Sequence, residues 1–216
     1  GRAPYGAGGG SVDVRARGTL DALSMNVHVV SSAGTARGPL VGHFGAGAKS
    51  LEGRLDVSSV DMAPILNRAE WKTRATGQAD FRWTFSSARI NFTFAGPQVE
   101  GFGYQVAGVR AQGVYDPALL RFDASGTAYG ATATTRATFR FAAAGRPLAY
   151  TLAGTFQGLD MRGLPERLSM PRLETQAARQ YEFEASGPDW RGTGALSESA
   201  VEGAWLGAGT VLGMQS

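Results

Sequence analysis

Histidine is the side chain that most often serves as a general base near neutral pH, and the sequence contains two, His28 and His43. A serine or threonine nucleophile needs such a base beside it, and neither histidine lies in a recognisable catalytic motif. His28 falls in the polar phase of a predicted strand, which is typical of an exposed side chain. Neither histidine has carboxylates at metal-ligand spacing. We therefore predict no enzyme activity, no metal and no cofactor.

Residues 45–50, GAGAKS, resemble the end of a phosphate-binding loop. Ala48 stands where that motif has the glycine before its lysine, and a strand-like segment follows where the motif needs a helix. The segment is better interpreted as a glycine-rich turn between strands.

Three glutamates, Glu174, Glu182 and Glu184, form a loose acidic cluster. A glycosidase would need two carboxylates facing each other across a substrate. Because the last two alternate with Tyr181 and Phe183, a solvated strand face is the better interpretation.

The composition excludes several other classes of protein. Cysteine is absent, so disulfide frameworks, thiolate zinc sites and cysteine nucleophiles are excluded. The formal net charge is only +3, and lysine occurs only at Lys49 and Lys72. Arginines are scattered singly between apolar residues, whereas nucleic-acid binding leaves clustered basic residues. We predict no nucleic-acid partner.

Glycine and strand-period alternation dominate the sequence. Glycine occurs 31 times in 216 residues, roughly twice the usual share of about 7%. Large apolar residues alternate with Arg, Asp, Asn, Thr or Ser in many short stretches, which predicts at least ten strands with one apolar face. The clearest stretches are residues 12–16, 25–29, 55–57, 81–85, 90–94, 120–122, 139–141, 150–152 and 181–183.

One motif interrupts the strands and recurs. Asp61 begins residues 61–68, DMAPILNR, and Asp160 begins residues 160–168, DMRGLPERL, so each can cap a short helix. Other matches are offset by 108 residues, as Gly18 and Gly126, or by 91 residues, as Phe92 and Phe183. A degenerate repeat of about 100 residues follows. We predict a partial repeat at 1–50, a repeat unit at 51–151 and a second, truncated unit at 152–216.

Residues 51–66 and 152–168 share a glycine-containing strand followed by a short Asp-initiated helix, and this pattern resembles the repeating units of the AsmA/TamB family of bacterial envelope proteins. The resemblance implies an all-β, elongated and curved antiparallel sheet or groove with one or two short helices. It also implies a periplasmic segment of a longer, inner-membrane-anchored chain that serves phospholipid transport and outer-membrane biogenesis. Phospholipid acyl chains are the implied ligand, with an inner-membrane anchor and an outer-membrane barrel protein as further candidate partners.

The widest apolar stripe is the candidate lining of such a groove. In a closed sandwich this stripe would be core, but the glycine-rich remainder has few large side chains to fill a second packed sheet. An open sheet therefore accounts better for the composition. The predicted lining residues are Phe81, Trp83, Phe85, Ile90, Phe92, Phe94, Leu152, Phe156, Tyr181 and Phe183.

Two alternatives use the same alternation. An outer-membrane β-barrel would have an outward apolar band flanked by aromatic girdles and longer strands than most of those predicted here. A structural or adhesive β-repeat stalk would have a fully closed core.

Overall fold

The computed structural model describes residues 10–66, 72–101, 104–142, 147–163, 175–186, 189–201, 204–206 and 210–215. Two compact units are present, Gly1–Arg110 and Ala111–Ser216. Strands make up nearly all of the described chain, and every strand pairing with a described register is antiparallel. The predicted all-β class, with an open antiparallel sheet and only short helices, is confirmed.

The first unit is a run of strands, each beside its neighbours in sequence from β1 to β6. Most strands of this unit contain ten to thirteen residues, because each alternating stretch ends at a turn rich in Gly, Ala, Ser or Asp. The elements are β1 (Ser11–Thr19), β2 (Ala22–Ser31), β3 (Gly34–His43), β4 (Ser50–Val60), the helix α1 (Met62–Leu66), β5 (Thr73–Thr84), a 3₁₀ helix (Phe85–Ser87) and β6 (Arg89–Gly101). Strand β7 (Tyr104–Asp116) contains the unit boundary.

The second unit is built in the same way. Its strands from β8 to β13 also lie in sequence order, and β14 pairs with β12. The elements are β8 (Leu119–Ala128), β9 (Ala131–Arg140), β10 (Ala149–Leu159), a 3₁₀ helix (Met161–Gly163), β11 (Thr175–Ser186), β12 (Asp189–Val201), β13 (Ala204–Leu206) and β14 (Thr210–Gln215). Tyr129 and Gly130, with φ of 52° and 81°, form the two-residue turn between β8 and β9, as a type I′ hairpin requires.

The order of elements repeats between the units. Strands β2, β3, β4, α1, β5 and β6 are followed in the second unit by β8, β9, β10, the Met161–Gly163 helix, β11 and β12. Ala22 and Leu119, which begin β2 and β8, are 97 residues apart, and Asp61 and Asp160 are 99 apart. The two units therefore share one order of strands and short helices, as a repeat requires.

The offsets of 108 and 91 residues do not follow this order of elements. Gly18 lies in β1 and Gly126 in β8, while Phe92 lies in β6 and Phe183 in β11, so neither pair is equivalent. The predicted divisions at 50/51 and 151/152 remain a prediction about where each repeat begins.

Irregularities of register recur at equivalent places. The pairing of β4 with β5 shifts between Val57 and Val60, and the pairing of β10 with β11 shifts between Phe156 and Leu159. Each shift lies just before the Asp-Met motif. A bulge bends a strand and increases its local twist, so β4 and β10 both bend immediately before the short helix that follows them.

The two Asp-Met motifs begin their helices through the aspartate side chain. Asp61 Oδ1 accepts hydrogen bonds from the backbone N–H of Ala63 at 2.9 Å and of Thr73 at 3.0 Å. Asp160 Oδ1 accepts the backbone N–H of Arg162 at 3.0 Å. The predicted helices at 61–68 and 160–168 are confirmed as Met62–Leu66 and Met161–Gly163. Residues 67–68 and 164–168 lie outside the described residues.

Alternation along the strands produces two chemically different faces in each unit. Strand β2, for example, alternates half-buried and exposed residues along its whole length. Among the described residues only three hydrophobic side chains are fully buried, Leu40, Ala131 and Ala137. Within each unit, the large apolar side chains of the described residues are thus shielded mainly by their neighbours on the same face.

Candidate apolar binding faces

Strand register gathers the predicted stripe of the first unit on one face. Phe81 on β5 lies directly opposite Phe92 on β6, and Trp83 lies opposite Ile90. Directly opposite residues share a face in antiparallel pairing. The next residue along, Phe94, lies opposite Ala79.

The same face continues across the earlier strands of the unit. Phe81 is also opposite Gly53 on β4, and Trp83 is opposite Leu51. Strands β2, β3 and β4 add further apolar residues at directly paired positions on this face: Leu23, Met25, Val27, Val29, Ala36, Leu40, Leu55 and Val57. These residues were not among the predicted lining, because sequence alternation shows that a strand has an apolar phase but not which other strands share its face.

Phe85 occupies a different setting from the rest of the stripe. It begins the 3₁₀ helix after β5, and its ring centroid lies 4.5 Å from that of Trp83 and 6.0 Å from that of Phe44. Phe44 was not among the predicted lining residues, because it follows a strand as a single aromatic residue. In the described part of the chain, the buried Nε1 of Trp83 has no hydrogen-bond partner. The rings of Phe44, Trp83 and Phe85, with the unpaired N–H of Trp83, therefore lie together at one end of this face.

The predicted lining of the second unit also shares one face. Leu152 on β10 lies opposite Phe183 on β11, and Tyr181 lies opposite Gly154. Phe156 falls in the same phase of β10 and lies opposite Ala133 on β9.

Four aromatic rings cross this face as a ladder. Phe122, Phe139, Tyr150 and Phe183 come from β8, β9, β10 and β11 in that order. Successive ring centroids are 6.1, 5.6 and 5.8 Å apart, and every step is stacked. Only Phe183 was predicted to line the groove. The other three lie on strands whose alternation was recognised, but their stacking depends on cross-strand register.

Glycines let aromatic side chains lie flat on the sheet. The Tyr181 hydroxyl donates to the backbone carbonyl of Thr134 at 3.1 Å, reaching across β10 where Gly154 stands. A Cβ on Gly154 would lie 2.8 Å from the Tyr181 hydroxyl oxygen. In the first unit, a Cβ on Gly77 or Gly96 would lie 2.9 or 2.7 Å from Cζ of Phe94. The high glycine content thus serves the apolar face as well as the turns.

Exposure decides whether these faces could bind anything. All ten predicted lining residues are half-buried, and so are the ladder residues Phe122, Phe139 and Tyr150. A closed core would bury such side chains almost completely. In the residues that the structure describes, each unit therefore presents a broad apolar surface that remains accessible.

The opposite face of the first unit is charged and internally paired. Arg54 Nε lies 2.6 Å from Asp80 Oδ1, and Arg82 Nε lies 2.5 Å from Glu52 Oε2. Both pairs are directly opposite across β4 and β5. The hydrogen bond and charge of Asp80 raise the pKa of Arg54 above its ordinary value.

The opposite face of the second unit relies more on hydroxyl groups. Thr134 and Thr155 side chains are hydrogen-bonded at 2.9 Å, and Arg136 pairs with Asp123 at 2.9 Å. These groups keep one side of each unit wettable while the other remains apolar.

The residues considered for catalysis do not come together. His28 is exposed on the polar face, and His43 Nδ1 lies 2.6 Å from the carbonyl oxygen of Asp21. Glu182 and Glu184 are exposed on β11, while Glu174 lies outside the described residues. No group of three or more metal-ligating side chains occurs in the described ranges.

Residues 45–50 connect β3 to β4, and Ser50 already begins the strand. A strand therefore follows the lysine where a phosphate-binding loop has a helix. The interpretation as an inter-strand turn is confirmed.

Comparison of the chain with protein-family models, with curated proteins and with solved structures finds no match. The part of the chain that the structure describes contains no helix of the length and apolarity needed to cross a membrane.

Proposed function

We propose that the apolar faces bind phospholipid acyl chains, and that the chain is a segment of an AsmA/TamB-like protein that carries phospholipid across the periplasm towards the outer membrane. The observation that supports this proposal is the half-burial of every predicted lining residue on a face composed of large apolar side chains. Periplasmic location and envelope partners enter the proposal through the sequence resemblance alone.

The energetics of lipid transfer require a surface of this kind. A diacyl lipid in water exposes about 30 methylenes, each costing about 0.8 kcal/mol, so complete exposure costs on the order of 25 kcal/mol. A carrier must offset most of this cost. Apolar contact is non-directional and scales with area, so a broad face can hold an acyl chain at many positions without a fixed recognition site.

The details of both faces suit a flexible hydrocarbon ligand. Stacked rings from Phe122 to Phe183 make a flat surface in the second unit, and Phe81, Phe92 and Phe94 make a denser one in the first. Within these two predicted lining sets the described side chains carry no charge. An acyl chain would therefore meet apolar atoms along either set of residues.

The direct test compares two substitutions on neighbouring positions of β6. Phe92→Glu places a carboxylate on the apolar face, and Asn91→Glu places the same carboxylate on the exposed polar face opposite Arg82. Both variants should melt near the parent temperature, because a half-buried position leaves the carboxylate access to water. After incubation with phosphatidylethanolamine and phosphatidylglycerol vesicles, native mass spectrometry should show bound lipid on the parent and Asn91→Glu, and much less on Phe92→Glu.

Three results would contradict the proposal in different ways. Collapse of the Phe92→Glu melt would show a closed core, which the stalk alternative requires. Absence of lipid on the folded parent chain would exclude acyl binding by these faces. Equal lipid on both variants would show that the Phe81 to Phe94 stripe is not the binding surface.

A further inference from the structure

One hydrogen-bond donor on the apolar face of the first unit lacks an acceptor. Trp83 lies on β5, directly between Leu51 of β4 and Ile90 of β6. Its indole nitrogen is covered, and among the side chains that the structure describes it is the only buried nitrogen or oxygen without a hydrogen-bond partner. An unpaired donor at such a place loses its hydration and gains no bond in return. The indole N–H is therefore a group for which a bound molecule can supply the acceptor.

Two phenylalanine rings that follow strand ends cluster with this indole. The ring centroid of Phe85, in the 3₁₀ helix after β5, lies 4.5 Å from that of Trp83, and Phe85 stacks in turn on Phe44 at 6.0 Å. Phe44 folds back over Gly42, where a Cβ would collide with its ring. Gly42 lies opposite Leu51, so Phe44 reaches the apolar face. Both phenylalanines are half-buried, and rotation of either side chain leaves the backbone pairing of the strands intact.

The surroundings of the donor restrict the kind of acceptor that can pair with it. A buried water needs several polar partners, and the rings of Phe44 and Phe85 carry no hydrogen-bonding group. A charged phosphate oxygen would lose its hydration among these rings, at a cost that one neutral donor does not offset. A neutral carbonyl oxygen loses much less hydration and is satisfied by a single N–H. The site therefore suits a carbonyl that is attached to an apolar chain.

Given the proposed binding of phospholipid, on which this step rests, we infer that Trp83 Nε1 donates to the ester carbonyl of the bound lipid. The acyl chain joined to that carbonyl then lies on the stripe that leads away from Trp83, first over Phe81 and Phe92, which face each other, and next over Phe94. Residues 46–49 and 86–87, which follow the two covering phenylalanines, are exposed. A headgroup at this end of the face therefore reaches water.

The first experiment compares two phospholipids that differ only in the carbonyl. The 216-residue chain is incubated with vesicles that contain equal amounts of dioleoyl phosphatidylglycerol and its diether analogue, which has the same chains and no ester. Native mass spectrometry separates the two lipids by mass and gives the ratio in which they are bound. We expect the parent chain to carry the ester lipid in about fivefold excess or more, the preference that one hydrogen bond supplies.

Two variants assign that preference to the indole N–H. Trp83→Phe removes the donor and keeps an aromatic ring, so it should bind the ester and ether lipids in nearly equal amounts. Phe81→Leu is the matched control, since it changes a ring on the same strand and face without touching a polar group. It should reduce the binding of both lipids and leave their ratio as it is in the parent.

The second experiment observes the donor in the unaltered chain, and it stays decisive if Trp83→Phe folds poorly. Labelling tryptophan with ¹⁵N gives one indole N–H signal for each of the four tryptophans. The Trp83 signal is identified by its loss in Trp83→Phe and by its shift in Phe85→Leu, whose ring packs beside the indole. Because a hydrogen bond moves an indole proton signal downfield, the ester lipid should move this signal downfield and the diether lipid should not.

The contrary outcomes separate this inference from the proposed function. A folded parent that binds neither lipid would overturn both. Equal binding of ester and ether lipids by the parent would overturn the carbonyl contact alone and leave acyl binding in place. An ester preference that persists in Trp83→Phe would show that another group contacts the carbonyl. A Trp83 signal that the ester lipid leaves unmoved would show that the N–H is satisfied by the face of a neighbouring ring.

Discussion

The two units use one strand order to build apolar faces of different construction. In the first, the largest side chains concentrate on β5 and β6, where Phe81 faces Phe92. In the second, rings are spread one per strand from Phe122 on β8 to Phe183 on β11. Backbone pattern and bulge positions thus persist while the side chains that fill the face are redistributed.

Equivalent buried positions show the same redistribution. Leu40 on β3 and Ala137 on β9 are 97 residues apart and occupy the same place in their strands. Leu40 is 7% exposed beside Met25 and Gly53, whereas Ala137 is 0% exposed beside Phe122 and Leu152. Leu40 has a glycine on one side, whereas Ala137 is a small residue between two large ones, so both positions are covered by different combinations of large and small side chains.

The largest predicted effect is the loss of unfolding free energy when a charge is placed at a buried position and not at a half-buried one. We expect Ala137→Glu to destabilise the chain by about 3–5 kcal/mol, because it places an uncompensated charge at a fully covered site. Phe92→Glu, at a half-buried site, should have a much smaller effect. Urea unfolding followed by circular dichroism measures both, and equal losses would mean that the two faces are covered to the same extent.

A second effect concerns Leu40. Leu40→Ala should lower the free energy of unfolding by about 2–3 kcal/mol, the lower part of the usual range, since its half-buried neighbours can move into the space. Leu55→Ala, on the same face but half-buried, should cost less. If Leu55→Ala proves the more damaging, Leu40 is not the packing centre of the first unit.

A third effect concerns the glycine beneath Tyr181. Gly154→Ala should cost about 1–3 kcal/mol, because its Cβ would meet the Thr134 backbone and the Tyr181 hydroxyl. Gly101→Ala is the control, since its Cβ would meet only the Thr73 side chain, at 3.3 Å. Thermal melting compares the two, and a neutral Gly154→Ala would show that both the Thr134 backbone and the Tyr181 side chain can shift at little cost.

The smallest effect concerns the Asp61 cap and the pH dependence of unfolding. Hydrogen bonds from the Thr73 and Ala63 backbone lower the pKa of Asp61 below its ordinary value of 3.8. The ionised side chain therefore stabilises the fold at pH values above about 4, and this contribution disappears as the pH falls through the lowered pKa. Asp61→Asn should make unfolding less pH-dependent between pH 5 and pH 2, measured as the shift of the urea midpoint. An unchanged pH dependence would mean that the two backbone bonds do not distinguish charged from neutral Asp61.

Local sequence patterns predicted much of the fold. Period-two alternation predicted the strands and the polarity of each face, since every second side chain of a strand points to the same side. Asp61 and Asp160 marked both helix starts because an aspartate cap needs only backbone N–H groups a few residues ahead. Alternation alone also placed Phe81 and Trp83 on one face of β5, and Ile90, Phe92 and Phe94 on the same face of β6, whereas Phe85 lies in the 3₁₀ helix after β5.

Local sequence patterns did not predict which residues lie opposite each other on neighbouring strands. The ladder from Phe122 to Phe183 and the seating of Tyr181 over Gly154 depend on register. The Gly and Phe matches at offsets of 108 and 91 residues likewise joined strands that hold different places in the order of the two units.

Composition and alternation by themselves determined that this chain forms antiparallel strands with one apolar and one polar face. Tertiary structure alone decided which apolar stripes adjoin, and that they remain half-exposed. The physical reason is that register depends on turn length and bulge position, and one residue of slip moves a whole strand to the other face. Exposure depends in turn on whether another layer covers the face, and covering is a contact between distant parts of a chain that alternation within one strand does not encode.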